Sequence, residues 1–125
     1  MLTKLPRPDP GSLFERALRD TAITAWVAIN DPCGYAALDF LHGKKVAVPD
    51  RIALIAFDDS VEAFVLGLSS YNFNVAAVVR AMIGHLLSPP GGPSARAPRL
   101  VEVAGRVVAR ESTGKRRWPK AGSVR

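Results

Sequence analysis

Asn30 and Asp58 are the two residues whose types and settings could hold a ligand. Each closes an apolar run, Ile23 to Ile29 and Arg51 to Phe57, and each is followed by a helix-start signal. An amide set beside a carboxylate suits a polyol such as a sugar, because every hydroxyl both donates and accepts. Tyr71 or Phe73 could cover the apolar face of a sugar ring. The local alternative is that Asn30 makes a turn and Asp58 a buried hydrogen bond. Asp31 and Asp59, one residue further on, stand where a helix needs an N-cap, an interaction worth ~1 kcal/mol.

Other chemistries ask for residues that the sequence does not gather. A Mg²⁺ site needs several converging oxygens, yet neighbours in a strand, such as Asp58 and Asp59, point to opposite faces. A phosphoacceptor domain needs a further strand aspartate and a lysine near the phosphate. An Asp-x-Asp phosphatase needs an acid where Ser60 stands. Cys33 falls in a first helical turn, which stabilises a thiolate. Neither His42 nor His85 is placed beside it by spacing, and the three have no zinc-ligand pattern. Cys33 then reads as a small core residue and Trp26 as packing. No catalytic residue, metal or cofactor is expected. A small α/β enzyme using Asp58 or Cys33 is the alternative reading.

The elements that must position the pair follow from periodicity. Residues 1–11 form an irregular lead. Ser12-Leu13-Phe14-Glu15 has the pattern of a capping box opening a short helix. The run Ile23–Ile29 suits a strand covered on both faces. Asp31 is placed to cap the next helix and Pro32 to fill its first turn. Gly34, Ala37, Leu38 and Leu41 recur at helical spacing, and His42-Gly43 ends the helix. Arg51–Phe57 is a second strand. Asp59 or Ser60 caps a short helix through Phe64, and Gly67–Tyr71 is a third strand. Asn74 caps a helix whose Val75, Val78, Val79, Met82, Ile83 and Leu86 share one face. Residues 88–98 read as a loop rich in Pro, Gly and Ser. Leu100–Val103 and Val107–Arg110 read as strands, either a tight hairpin or one strand bent at Gly105.

Strand-helix-strand order makes parallel pairing with right-handed crossovers the default, giving an α/β fold with a parallel sheet flanked by helices. Asn30 and Asp58 then emerge at the carboxyl edge, where such sheets bind ligands.

The chain of 125 residues supports one domain. No apolar run is long enough to span a membrane, and Pro6, Pro8 and Pro10 interrupt any signal-peptide pattern. One cysteine allows no internal disulfide, in keeping with a reducing compartment. Of the formal net charge of +6, five positive charges lie in residues 115–125, which leaves +1 for residues 1–114. That basic stretch reads as a solvated tail.

Several segments resemble the sensor domain of LacI/GalR-type transcription regulators. Thr24-Ala25-Trp26-Val27-Ala28-Ile29-Asn30-Asp31 is similar to the strand of that family ending in Ala-Asn-Asp. Val48-Pro49-Asp50-Arg51-Ile52-Ala53-Leu54-Ile55-Ala56-Phe57-Asp58-Asp59 resembles its Val-Pro-x-Asp-(apolar)-Gly-Phe-Asp-Asp signature, with Ala56 in place of glycine. Leu68-Ser69-Ser70-Tyr71 is similar to Leu-Thr-Thr-Val, and Val107-Val108-Ala109-Arg110-Glu111-Ser112-Thr113 to the closing Leu-Val-Val-Arg-Glu-Ser-Thr. These cover residues 12–114. The resemblance implies one lobe of a two-lobed, periplasmic-binding-protein-like (type I) fold and a sugar or purine-like effector in the cleft between lobes. Asn30 and Asp58 match effector-contacting positions, and Tyr71 to Phe73 match cleft-lining ones. It further implies a cytoplasmic homodimer, with no membrane partner, that meets DNA only through a separate N-terminal head. No such head and little of a first lobe is recognisable here, so the expectation is a partial sensor. A self-associating interaction module is a further alternative.

Overall fold

A computed structural model describes residues 10–87 and 100–114. Helix α1 (Pro10–Arg19) leads to strand β1 (Ala25–Val27), helix α2 (Asp31–Gly43), strand β2 (Ala53–Phe57), the short helix α3 (Val61–Val65) and strand β3 (Ser69–Asn72). Helix α4 (Val75–Leu86), strand β4 (Arg106–Val108) and a 3-10 turn (Glu111–Thr113) complete the described chain. The sheet runs β1-β2-β3-β4. β1, β2 and β3 are parallel, with Val27 opposite Ile55 and Phe57 opposite Tyr71. β4 runs antiparallel to β3, pairing Tyr71 with Val107. The fold is therefore α/β with a mixed, mostly parallel sheet.

One face of the sheet carries the core. Leu54 and Ala56 of β2 pack with Ala37 and Leu38 of α2, Ala63 of α3 and Leu68. Gly34, Ala37, Leu38 and Leu41, the face expected from spacing, are all buried. Each large aliphatic side chain so removed from water contributes roughly 1.5–3 kcal/mol. Gly34 lets α2 settle this close: a Cβ there would lie 2.7 Å from Leu68 Cδ2. Phe14, Trp26 and Phe40 extend the core as an aromatic group, with Phe14 stacked on Trp26 at 5.7 Å.

Several local expectations are corrected. α1 begins at Pro10, so Ser12 lies inside the helix rather than at its cap, and Glu15 pairs with Lys44 at 3.0 Å instead of closing a capping box. Proline suits the opening turn of a helix because its missing N–H has no partner there. β1 is not covered on both faces: Val27 is 69% and Ile29 81% exposed. The apolar face of α4 is present in sequence but contributes no buried residue. Asn74, at the start of α4, has left-handed backbone and makes no side-chain cap; its N–H donates to Asn72 Oδ1 instead. Leu100–Val103 is not a strand, so β4 closes the sheet against β3 without forming the expected hairpin. The lead of residues 1–9, the loop of 88–98 and the tail of 115–125 lie outside the described residues.

Candidate functional site

The site is built where β1, β2 and β3 end. β1 and β2 end side by side at the carboxyl edge, with Val27 opposite Ile55, and Asn30 and Asp58 follow these two strand ends. The pairing runs one residue past β1, where the Ala28 N–H donates to the Ile55 carbonyl at 2.8 Å. Phe57 sits opposite Tyr71 in the neighbouring strand, and the Asp58 N–H donates to the Tyr71 carbonyl at 3.0 Å.

Asn30 is the N-cap of α2, its Oδ1 accepting from the Cys33 N–H at 3.0 Å. The cap was expected from Asp31, and the shift by one residue changes both side chains' roles. Asn30 Nδ2 remains available as a donor, and Oδ1 keeps a second lone pair. Asp58 is exposed, and its carboxylate makes no hydrogen bond among the described residues. The local alternative for Asp58, a buried hydrogen bond, is therefore not what forms. Its φ is 112°, a conformation that L residues adopt only where their surroundings impose it.

Beside Asp58 lies an aromatic trio. Phe57 and Phe73 are stacked at 5.9 Å, Tyr71 meets Phe73 edge-on at 5.0 Å, and Phe57 meets Tyr71 at 5.9 Å. Phe73 is 46% exposed, leaving ring surface open to solvent. Sequence reasoning named Tyr71 and Phe73 and passed over Phe57. The signal was there: strand alternation separates Phe57 from the buried Leu54 and Ala56.

Behind the rim runs a polar network. Asp31 is fully buried, although carboxylates seldom are without partners. Its Oδ2 accepts from both the N–H and the Oγ of Ser60, each at 2.8 Å, and its Oδ1 accepts from Ser70 Oγ at 2.6 Å. Ser60 in turn caps α3 and meets the Tyr35 hydroxyl. Asp59 has left-handed backbone (φ 54°), and its N–H donates to Ser70 Oγ at 3.0 Å. Its carboxylate accepts from Asn72 Nδ2 at 2.7 Å and Arg110 Nη2 at 2.5 Å. The Asn72 hydrogen bond first, and then Arg110, hold the Asp59 carboxyl below the usual carboxylate range against the opposing effect of burial. Arg110 Nη1 also donates to the Leu68 carbonyl at 2.7 Å. Asp31 and Asp59 are structural, as expected, but neither caps a helix.

The closing segment is sewn to the sheet by the same logic. Ser112 Oγ donates to the Leu54 carbonyl at 2.7 Å and accepts from the Ser69 N–H at 2.8 Å. Ser60, Ser70 and Arg110 were not picked out from sequence as parts of a site, and Asn72 only within the segment Tyr71 to Phe73. A pair of serines in a short strand bounded by Leu68 and Tyr71 was the available clue, since buried hydroxyls need partners.

Elsewhere, Cys33 is exposed rather than in the core. It borders an apolar groove of about 370 Å³ lined by Leu13, Phe14, Ile23, Trp26 and Val27. The groove carries no charged side chain, and Trp26 Nε1 is buried there without an acceptor among the described residues. Among the described residues no cluster of His, Cys, Asp and Glu could hold a metal ion, and no helix is long and apolar enough to cross a membrane.

The described residues thus form an α/β lobe whose mostly parallel sheet carries Asn30, Asp58 and an aromatic trio at its carboxyl rim. Residues 4–113 match the periplasmic binding protein-like domain family, and the chain belongs to it. Within that family it corresponds to part of a LacI/GalR-type sensor domain. It is 32% identical over 102 residues to the HTH-type transcriptional regulator AscG of Escherichia coli K12, covering 80% of this chain and 29% of the regulator. It matches a solved sugar-binding transcriptional regulator of the LacI family from Escherichia coli, complexed with phosphate, with a TM-score of 0.65 at 28% identity, covering 86% of this chain and 40% of the other. A LacI family regulator from Arthrobacter sp. FB24 in complex with lactose matches with a TM-score of 0.64 at 26% identity, covering 83% and 40%. The chain thus spans under a third of the curated relative and about two fifths of the solved structures.

Proposed function

We propose that this chain supplies one wall of the effector cleft of a LacI-type regulator, and that the effector is a sugar-like polyol. The observation that carries the reading is the rim itself. Asn30 and Asp58 follow neighbouring strand ends at the carboxyl edge, and Asp58 adjoins the clustered rings of Phe57, Tyr71 and Phe73. Asp58 accepts from sugar hydroxyls, Asn30 Nδ2 donates to them, and the aromatic trio covers an apolar ring face. A related regulator is seen with lactose, which supports the ligand class.

The wall acts as a sensor, not as a catalyst. In the intact regulator, closure of two lobes about the effector shifts a dimer between forms of different DNA affinity, which requires differential contacts in the two states. DNA is met by a separate head, and the protein works in the cytoplasm without a membrane partner. Because one wall meets the effector on one side only, the chain alone binds sugar weakly.

Calorimetry of the 125-residue chain with lactose tests this. Millimolar or weaker affinity, reduced further by Asp58→Ala at unchanged thermal stability, is the expected result. Micromolar affinity would show that one wall suffices, contrary to the proposal. Turnover of a substrate abolished by Asp58→Asn or Cys33→Ser would favour an enzyme instead.

A further inference from the structure

The two rim residues are not tied to each other directly, yet the residue after each one is anchored in the same place. Asp31 follows Asn30 and Asp59 follows Asp58. Ser70 Oγ donates to Asp31 Oδ1 at 2.6 Å and accepts from the Asp59 N–H at 3.0 Å. A serine hydroxyl has one proton to give, so this pairing assigns its direction. Ser70 is fully buried and sits on β3, the strand that pairs with β2 alongside Asp58. Arg110 holds the far side, its guanidinium reaching both the Asp59 carboxylate and the Leu68 carbonyl. Two consecutive positive φ values, 112° at Asp58 and 54° at Asp59, persist between these anchors. Such backbone costs of order 1–3 kcal/mol per residue and survives only where neighbours impose it.

We infer that Ser70 and Arg110 are positioning residues for effector recognition: Ser70 couples the start of α2 to the end of β2, and Arg110 clamps Asp59, so that together they fix Asp58 relative to Asn30. This rests on the reading of the rim as a sugar site for its functional consequence, but not for its structural one. Neither residue touches the ligand. They act by removing the freedom of Asp58 to relax to ordinary extended backbone, which would re-aim its carboxylate. Preorganisation of this kind raises affinity by reducing the ordering needed on binding.

The test uses the isotopically labelled 125-residue chain in three variants, Ser70→Ala, Ser70→Thr and Arg110→Met. The first readout is the HN–Hα coupling of Asp58, which is small at its native φ and large in extended backbone. The second is a lactose titration followed at the Asn30 and Asp58 amides. In Ser70→Ala and Arg110→Met the coupling rises and lactose affinity falls at least about five-fold, in line with the loss of one hydrogen bond's worth of ordering. Ser70→Thr keeps the hydroxyl and restores the native coupling. An unchanged Asp58 coupling in both Ser70→Ala and Arg110→Met, with native amide spectra elsewhere, overturns the positioning role. Absence of any lactose response in the unsubstituted chain counts against the sugar reading alone, since the coupling still reports on the anchors. Should Ser70→Ala or Arg110→Met unfold, Ser70→Cys, which keeps the side-chain size but weakens both hydrogen bonds, carries the same test.

Discussion

Asp59 is held by the Asn72 amide and the Arg110 guanidinium, with both partners of the ion pair only 12% exposed. Removing one partner of this part-buried pair leaves the other charge poorly compensated. Asp59→Ala should cost about 1–3 kcal/mol of stability, read as a shift of the urea midpoint at neutral pH. Because the folded-state carboxyl titrates below its unfolded value of about 4, its contribution is full above that pH. It is lost as pH falls through the folded-state value, where the bound proton cancels the ion pair. The acid limb of the stability curve should therefore flatten in Asp59→Asn. An unchanged acid limb would mean that neither the Asn72 hydrogen bond nor the Arg110 contact persists in solution. At this scale the residue types of Asn30, Asp58, Tyr71 and Phe73 suggest polyol contact, and the structure gathers Tyr71 and Phe73 with Phe57 next to Asp58. The sequence misled on Asp31, because Asn30 and Asp31 are both good caps. Proximity of Asp31 to Ser60 and Ser70, which decides between them, is a tertiary fact.

Among the elements, β4 must come close to β3 for Arg110 to reach Asp59. Gly105, just before β4, makes that approach possible: a Cβ would lie 2.6 Å from the Asn72 carbonyl oxygen and 2.5 Å from the Tyr71 hydroxyl. Gly105→Ala should displace Tyr71 and weaken the β3–β4 pairing by about 1–3 kcal/mol. Near-ultraviolet circular dichroism should report the moved tyrosine, and a native spectrum with unchanged stability would contradict the close approach. The helices and parallel strands were readable because apolar spacing and cap residues are local signals. The ending was not. Leu100–Val103 has strand composition, but β4 finds its partner in β3 rather than in its own predecessor, and no local rule encodes that choice. Apolar periodicity likewise identified α4 as a helix without revealing that its apolar face would stay uncovered, since periodicity states what a face is and not what meets it.

For the molecule as a whole, the apolar surface left open is its main liability. Met82 is 60%, Ile83 50% and Leu86 78% exposed on α4, and the β1 edge shows Val27 and Ile29. The exposed α4 residues share one helix face by their spacing, and apolar surface of this kind marks an interaction face. The sedimentation mass of the chain should rise with concentration, and Ile83→Lys should lower it. A strict monomer at high concentration would argue against an interaction face there. The account turns on whether Asn30, Asp58 and the aromatic trio act as one surface. The measurement that tests this most directly is the map of amides that shift when lactose is titrated into the labelled chain. Joint movement of Asn30, Phe57, Asp58, Tyr71 and Phe73 along a single binding curve is the predicted result. Shifts confined to the apolar groove at Phe14, Trp26 and Cys33, with the rim unmoved, would contradict it.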